Sequence, residues 1–465
     1  MNPIYLLLFG EIILFCFAYV LTNFDLLAPS VFMCIMFVIS TLFAVLNVEN
    51  WDYGLGYSLE ATLLILGGLF TFTVSETMFR CLLKNSKISR IDALEQKKVA
   101  EEKIEIVNVN IMIVFLIFIT DLLICYLYYN EIKRIVGFGG TEMFAEYRRM
   151  GISRMAGEER ESINGIINQL TNFPVAAGYV SGYIFIKNFF AKDRFILRQF
   201  FLASIIALGI VPGLMTAGRT QILMYFAAFL IYYYIIWNQK YSWKKNLSLK
   251  FIEIGIASIF VGIPAFYYSL KLIGRVTRLP LFDYASDYLG SSILLFGKYV
   301  EDPIPCTIWG EESLYSVRKI IHALGLGPIS TSYNLEFRST GVANSNIYTF
   351  FRRPLHDFGI IGMLIFTALV AIFFAWMYWG KIKGNKKRRC VNYWSLTYGY
   401  FFYWIFCSSM DQYSQTFISI GAMVKITMIL CGFWLASNYA LRQKTMIRVI
   451  KKRIRFGGKI RWQKA

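Results

Sequence analysis

Eleven long apolar runs constrain this 465-residue chain more than any other feature. They lie at about 3–21, 26–46, 61–79, 110–129, 167–187, 200–216, 220–237, 251–271, 358–380, 393–410 and 415–437. A run of roughly 18 or more apolar residues is long enough to cross a hydrocarbon layer about 30 Å thick. With no water there, each segment must satisfy its own backbone hydrogen bonds, so each run predicts a helix. The alternating strands of a membrane barrel are absent. The mean hydropathy of +0.50 agrees with this reading. The expected fold class is therefore an all-α, polytopic integral membrane protein with about 11 (10–12) transmembrane helices and one large outer loop. Residues 1–441 read as a single membrane domain and 442–465 as a basic tail.

The formal charge of +19 could point to nucleic acid, but its distribution does not. Segments 80–103, 187–198, 240–250, 381–389 and 442–464 hold 31 of the 48 lysines and arginines. With eleven spans all five fall on one face, which positive charge marks as cytoplasmic. The acidic loop 47–60 falls on the other. The N-terminus is then outside and the C-terminus inside. The tail KKRIRFGGKIRWQK fits anionic lipid at the inner leaflet, and no nucleic-acid partner is expected. The first run reads as an uncleaved anchor.

Most of the eight cysteines lie inside apolar runs and read as small hydrophobes, so no disulfide framework is implied. No CxxC, HExxH or carboxylate cluster has metal spacing, and neither a metal nor a cofactor is expected. The inner loop 80–108 reads as a surface helix or a solvated connector. Two outer loops are substantial, 130–166 and 272–357. The first reads as helical around Met143–Glu161. The second contains an amphipathic stretch, 291–300, that could lie on the bilayer or dip into it. No internal repeat is detectable, which weakens an inverted-repeat transporter.

Polar residues concentrate at one helix mouth, Asn344–Gly362, NSNIYTFFRRPLHDFGIIG. Arg352, Arg353, His356 and Asp357 gather just before a span expected to start near Phe358. Polar groups beside hydrocarbon are costly, so such a cluster marks a functional site. A desolvated carboxylate or imidazole can act as a general base. Asp357 could equally be the N-cap of a helix beginning at Phe358. His322 reads as a structural histidine.

Arginine recurs on the face that the charge rule disfavours. Arg219 sits in a tight turn, TAGRTQIL, between two spans. Arg275 and Arg278 follow the eighth span, and Arg148, Arg149, Arg154 and Arg160 lie in the first outer loop. Arg219 could anchor headgroups by snorkelling, or it could hold an anion through its forked donors. Neighbouring glutamates (Glu146, Glu158, Glu159, Glu161) predict that some of these arginines form ion pairs on a helix. Glu11, Glu76, Asp121, Glu253 and Lys425 lie inside spans. They share no spacing, and snorkelling or a polar cavity accounts for them better than a proton relay. Outer-loop tyrosines, including Tyr288, Tyr299 and Tyr348, could stack on sugars or anchor the interface.

Three motifs carry a resemblance: Gly218-Arg219-Thr220 between two middle spans, Asn346-Ile347-Tyr348-Thr349 at the end of a long outer loop, and Asp357-Phe358-Gly359-Ile360-Ile361-Gly362 opening a late span. In these the chain resembles the bacterial oligosaccharide repeat-unit polymerases, the Wzy-type polymerases, which are related to the O-antigen ligases. Arg154 and Gly165 also match an arginine–glycine spacing of that family's outer loops.

The resemblance implies a glycosyltransferase of the bacterial cytoplasmic membrane with its active site outside. It would polymerise undecaprenyl-diphosphate-linked oligosaccharides into O-antigen, capsule or exopolysaccharide. It would need no nucleotide or metal, and could work with a flippase and a chain-length regulator. On that reading Arg219, Arg275, Arg278, Arg352 and Arg353 are candidates for the substrate diphosphate. Asp357 and His356 are candidates for the base or its orienter. Arg154, Asn346 and Tyr348 are candidates for the glycan. A related ligase and a lipid-linked oligosaccharide flippase are the alternatives. A flippase predicts functional charges within the spans, and a polymerase predicts them at the outer ends.

Overall fold

The computed structural model describes residues 2–54, 56–85, 104–155, 161–193, 195–241, 243, 249–329, 335–384 and 388–455. Side chains are described for all of these except 84–85, 154–155, 249–260, 388–390 and 439–455. Loop residues 86–103 and 156–160 and tail residues 456–465 lie outside the description.

Helices dominate. Among the described residues, eight helical stretches are long and apolar enough to cross a membrane. They are α1 (Pro3–Leu21), α2 (Pro29–Leu46), α3 (Leu59–Asn85), α4 (Ile111–Val136), α8 (Ile196–Met215), α9 (Thr220–Lys240), α13 (Arg352–Ala375, continued by a π-helical segment Trp376–Lys383) and α16 (Ile420–Arg455). Three more predicted runs are helical but are not among these eight: α7 (Asn172–Phe190), α10 (Leu249–Leu272) and α14 (Arg388–Phe406). The α14 sequence carries several tyrosines, and Tyr398, Tyr400 and Tyr403 are buried in the bundle core. Its neighbours are protein more than lipid, so high hydropathy is not required of it.

Local signals set the helix ends. Asn2 accepts the Ile4 N–H at 3.2 Å with Pro3 in the first turn of α1. Asn110 accepts the Met112 N–H at 2.8 Å to start α4, and left-handed Gly137 ends it after Lys133 and Arg134. The α2 helix has no cap of its own. Glu76 of α3 supplies one, accepting the Ser30 N–H at 2.6 Å and the Trp379 indole N–H at 2.6 Å. Glu11 accepts the Thr41 hydroxyl at 2.9 Å. Both carboxylates lie in candidate membrane spans and accept hydrogen bonds from neighbouring helices, with the second Glu11 oxygen buried without a partner. Asp121 is buried with neither oxygen hydrogen-bonded.

The two ends of the bundle differ. At one, Asp25 accepts from Tyr234, Tyr378 and Lys383. The wider π-helical turn aims Tyr378 and Lys383 together at this carboxylate. The other end carries the described residues 47–54, 56–58, 137–155, 161–171, 273–329, 335–351 and 407–419. Here the expected large loop is mostly built structure. It contains α11 (Leu281–Glu301), α12 (Tyr315–Ala323) and a two-residue hairpin pairing β1 (Arg338–Ser339) with β2 (Asn344–Ser345). Two short helices, α5 (Glu142–Met155) and α6 (Gly165–Leu170), and the single turn α15 (Ser414–Phe417) complete this end.

The helix α11 organises it. The amphipathic stretch expected at 291–300 belongs to this longer element, which buries twelve residues against the rest of the protein. Its Ser292 meets Ser40 of α2 at 3.2 Å, and Phe282 packs on Phe43. Small polar residues let the two helices approach closely.

Candidate functional site

Two charged clusters sit on α11, one at each half. The first surrounds Arg219. This residue precedes α9 and is 4% exposed, not displayed at the surface as headgroup anchoring requires. Its guanidinium lies 3.7 Å over the Phe266 ring and donates to the Phe266 carbonyl, the Tyr284 hydroxyl and, at 3.3 Å, the Tyr288 hydroxyl. Tyr284 and Tyr288 are one turn apart on α11, so both phenols present to the same cation.

Arg275 and Arg148 join it. The turn after α10 places Gly274 at φ +68°, with its Cα side closed by Thr141 and Glu142. Only glycine fits so close an approach in a left-handed conformation. This seats Arg275 beside α5, which carries Arg148. The Arg148 guanidinium, still open to solvent, is held below its usual range by partial desolvation and then by the charges of Arg275 and Arg219. Against the upward push of burial, the Tyr284 hydroxyl and the charges of Arg219 and Arg275 hold the Tyr288 phenol below its usual range. Among the described residues no carboxylate forms an ion pair with Arg148, Arg219 or Arg275. Arg278 is exposed and stands apart from these contacts.

The second cluster surrounds Tyr299, eleven residues further along α11, about 16 Å at ~1.5 Å per residue. Arg352 is 1% exposed and stacks 3.9 Å over the Tyr299 ring. It donates to Glu312 at 2.7 Å and Glu336 at 2.6 Å. Arg353 grips Asp411 with Nε at 2.7 Å and Nη2 at 3.1 Å. Both arginines of the helix mouth are thus matched by carboxylates from distant parts of the chain. Tyr348 is buried, and its hydroxyl donates to the Glu336 carbonyl at 3.2 Å. Asn346 is half-buried nearby. Arg154 lies in the last turn of α5, with its side chain outside the description.

The helix that carries His356 and Asp357 begins at Arg352, six residues earlier than expected. Gly359 interrupts it at φ 67°, ψ −173°, which is why Phe358 reads as a start in sequence. Asp357 is therefore not the N-cap of its own helix. Its carboxylate accepts the backbone N–H groups of Glu312 at 3.1 Å and Ser313 at 2.6 Å, fixing the loop before α12. His356 has both ring nitrogens engaged, Nδ1 with the Tyr299 hydroxyl at 3.2 Å and Nε2 with Glu311 at 2.7 Å. Against the upward push of burial, the Thr307 hydroxyl and His356 hold the Glu311 carboxyl below its usual range. Burial pushes Glu312 up. Cys306, Glu311 and His356 also bring their ligand atoms within 4.8 Å of one another, a grouping the sequence spacing concealed. Within this set both Glu311 oxygens already accept hydrogen bonds, from His356 and the Thr307 N–H and hydroxyl, and the Cys306 thiol donates to the Ile308 carbonyl at 3.4 Å.

Sequence reasoning missed Glu311, Glu312, Glu336 and Asp411. Their only signal was position in the same polar loops. It read Arg148 as one of several loop arginines, and Tyr288 and Tyr299 as sugar stackers or anchors.

Fold and site together define a class, a helical membrane protein with an arginine cluster at one end, of which Arg219 is buried and with which no described carboxylate pairs. No known protein family, curated protein or solved structure matches the chain.

Proposed function

We propose that this protein is a membrane glycosyltransferase that polymerises lipid-diphosphate-linked oligosaccharides at the outer face of the bacterial cytoplasmic membrane. One observation carries the reading: Arg148, Arg219 and Arg275 converge on Tyr284 and Tyr288, and among the described residues no carboxylate forms an ion pair with any of the three. A buried cation without a counter-ion is costly. A diphosphate supplies the missing charge and accepts forked donors in plane. The same cations stabilise the charge that develops on a departing diphosphate. Arg352 and Arg353, matched by carboxylates, belong to the framework of the outer end.

In this reading α7, α10 and α14 also cross the membrane, giving eleven spans with the N-terminus outside. The segregation of basic loops supports that orientation. Glu11 and Glu76 accept hydrogen bonds from neighbouring helices, which favours transfer chemistry at one end over passage through the bundle.

The test is deletion of the gene in its host, with surface glycan separated on a gel. A single repeat unit is expected to remain. Loss of all surface glycan would instead indicate a flippase or a ligase. Full-length glycan restored by Arg219→Ala would sink the assignment of the diphosphate.

A further inference from the structure

Among the described residues, one mixed set of metal-ligating side chains lies outside the chemistry proposed above. Cys306, Glu311 and His356 bring a sulfur, a carboxylate oxygen and a ring nitrogen within 4.8 Å of one another. Glu311 follows Cys306 by five residues, and His356 follows Glu311 by 45, so no short motif announces the set. Glu311 and His356 are buried and Cys306 is exposed, so the set opens to solvent on its sulfur side.

Each buried ligand is oriented from behind. The Tyr299 hydroxyl lies 3.2 Å from His356 Nδ1, and the Thr307 hydroxyl donates to Glu311 Oε2 at 2.7 Å. Hydrogen bonds of this kind fix the ring and the carboxylate at metal centres. The charge around the set also suits a cation. Arg352 takes Glu312 and Glu336, and Arg353 takes Asp411. That leaves Glu311 with His356 as its ion-pair partner among the described residues. The Cys306 sulfur lies in the negative field of Glu311 and Asp357.

We propose that Cys306, Glu311 and His356 form a zinc site that ties the loop before α12 to the start of α13. The site stands independently of the function proposed above. Thiolate with imidazole selects zinc over magnesium or calcium, and one thiolate and one carboxylate balance the charge of the ion. Three protein ligands leave the fourth tetrahedral position to water. Bonds of about 2.0–2.3 Å set tetrahedral ligand atoms roughly 3.3–3.8 Å apart. Nε2 and Oε1 stand 2.7 Å apart in the metal-free protein and need to open by only roughly 0.6 Å. On binding, the Cys306 thiol turns from the Ile308 carbonyl and its proton leaves to solvent. The proton that Nε2 shares with Glu311 is displaced to Nδ1, where the Tyr299 hydroxyl accepts it.

The test uses the full chain in lipid nanodiscs, stripped with EDTA. Cobalt ion serves as the optical probe and zinc ion as its competitor. Wild type is expected to show a sulfur-to-cobalt charge-transfer band with tetrahedral d–d bands, and zinc is expected to abolish both. Cys306→Ser is expected to lose the charge-transfer band and to bind zinc more than about 100-fold more weakly, beyond the cost of a lost supporting hydrogen bond. Thr307→Val removes only the hydroxyl behind Glu311, and is expected to weaken zinc about tenfold and keep the band. Zinc is also expected to slow labelling of Cys306 by a polar maleimide, because the coordinated thiolate is no longer free to attack. It should raise the melting temperature of wild type and not of Cys306→Ser. Cys306 is exposed, so its serine variant leaves the core intact. No charge-transfer band in wild type, unchanged zinc affinity in Cys306→Ser, unslowed labelling or equal melting shifts in the two proteins would each overturn the zinc site.

Discussion

Arg353 and Asp411 form a two-pronged ion pair, Nε to Oδ1 at 2.7 Å and Nη2 to Oδ2 at 3.1 Å, with 4% and 17% of the two side chains exposed. The pair fastens the start of α13 to the turn after α14. Removing one partner strands the other, which typically costs about 3–5 kcal/mol for a buried pair. Arg353→Ala and Asp411→Ala are each expected to lower the melting temperature in detergent sharply. Arg353→Met with Asp411→Leu is expected to recover most of the loss, because no charge is left buried. Additive losses in the double variant would show that the pair is not the cause.

Arg219→Lys keeps the charge and loses the fork that meets Tyr284 and Tyr288. Charge-assisted hydrogen bonds contribute about 1.5–3 kcal/mol each, and roughly 1.4 kcal/mol is tenfold in affinity. Pyrophosphate is expected to bind at least about tenfold more weakly to this variant by calorimetry. Arg278→Ala, whose parent side chain is exposed and outside the cluster, is expected to bind within about twofold of wild type.

Two glycine substitutions are expected to move in opposite directions. Gly359 has φ +67°, a left-handed conformation at the kink of α13. An L-residue there costs about 1–2 kcal/mol. Gly67 lies in α3 with open space at its Cβ position and no unusual φ. Gly67→Ala is therefore expected to be neutral or to stabilise by up to about 1 kcal/mol. Melting curves of the two variants check this.

The acid limb of stability is expected to involve Glu311. Its carboxyl is held below the ordinary range in the folded protein. A depressed carboxyl contributes stability above the unfolded value of about 4.3 and loses it as pH falls through the lower folded value. Glu311→Gln removes this contribution, so its melting temperature should drop less than that of wild type between about pH 6 and about pH 3. Identical drops would rule out a part for Glu311.

Much of the helical layout was readable from the chain, because hydrocarbon forces each apolar run to satisfy its own backbone. The exceptions are instructive. The helix Leu281–Glu301 was legible only over its amphipathic stretch 291–300, because tyrosines, serines and glycines make up most of the buried residues of its first half and its apolar run, Ile293–Phe296, is short. The start of α13 was misplaced because Gly359 breaks the helix where the apolar pattern begins.

The candidate site was legible only as a set of residue types. Arg219 and Arg352 look alike in sequence, each an arginine at the mouth of an apolar run. The apolar runs and the sidedness of basic residues follow from composition, since membrane partitioning acts on each segment by itself. Which arginine is spent and which stays available is a matter of tertiary structure. Glu312, Glu336 and Asp411 come from far along the chain to neutralise Arg352 and Arg353, whereas among the described residues aromatic rings, hydroxyls and the Phe266 carbonyl close around Arg219. Coulomb attraction falls with distance in space and rises with burial, and neither quantity is written in the order of residues.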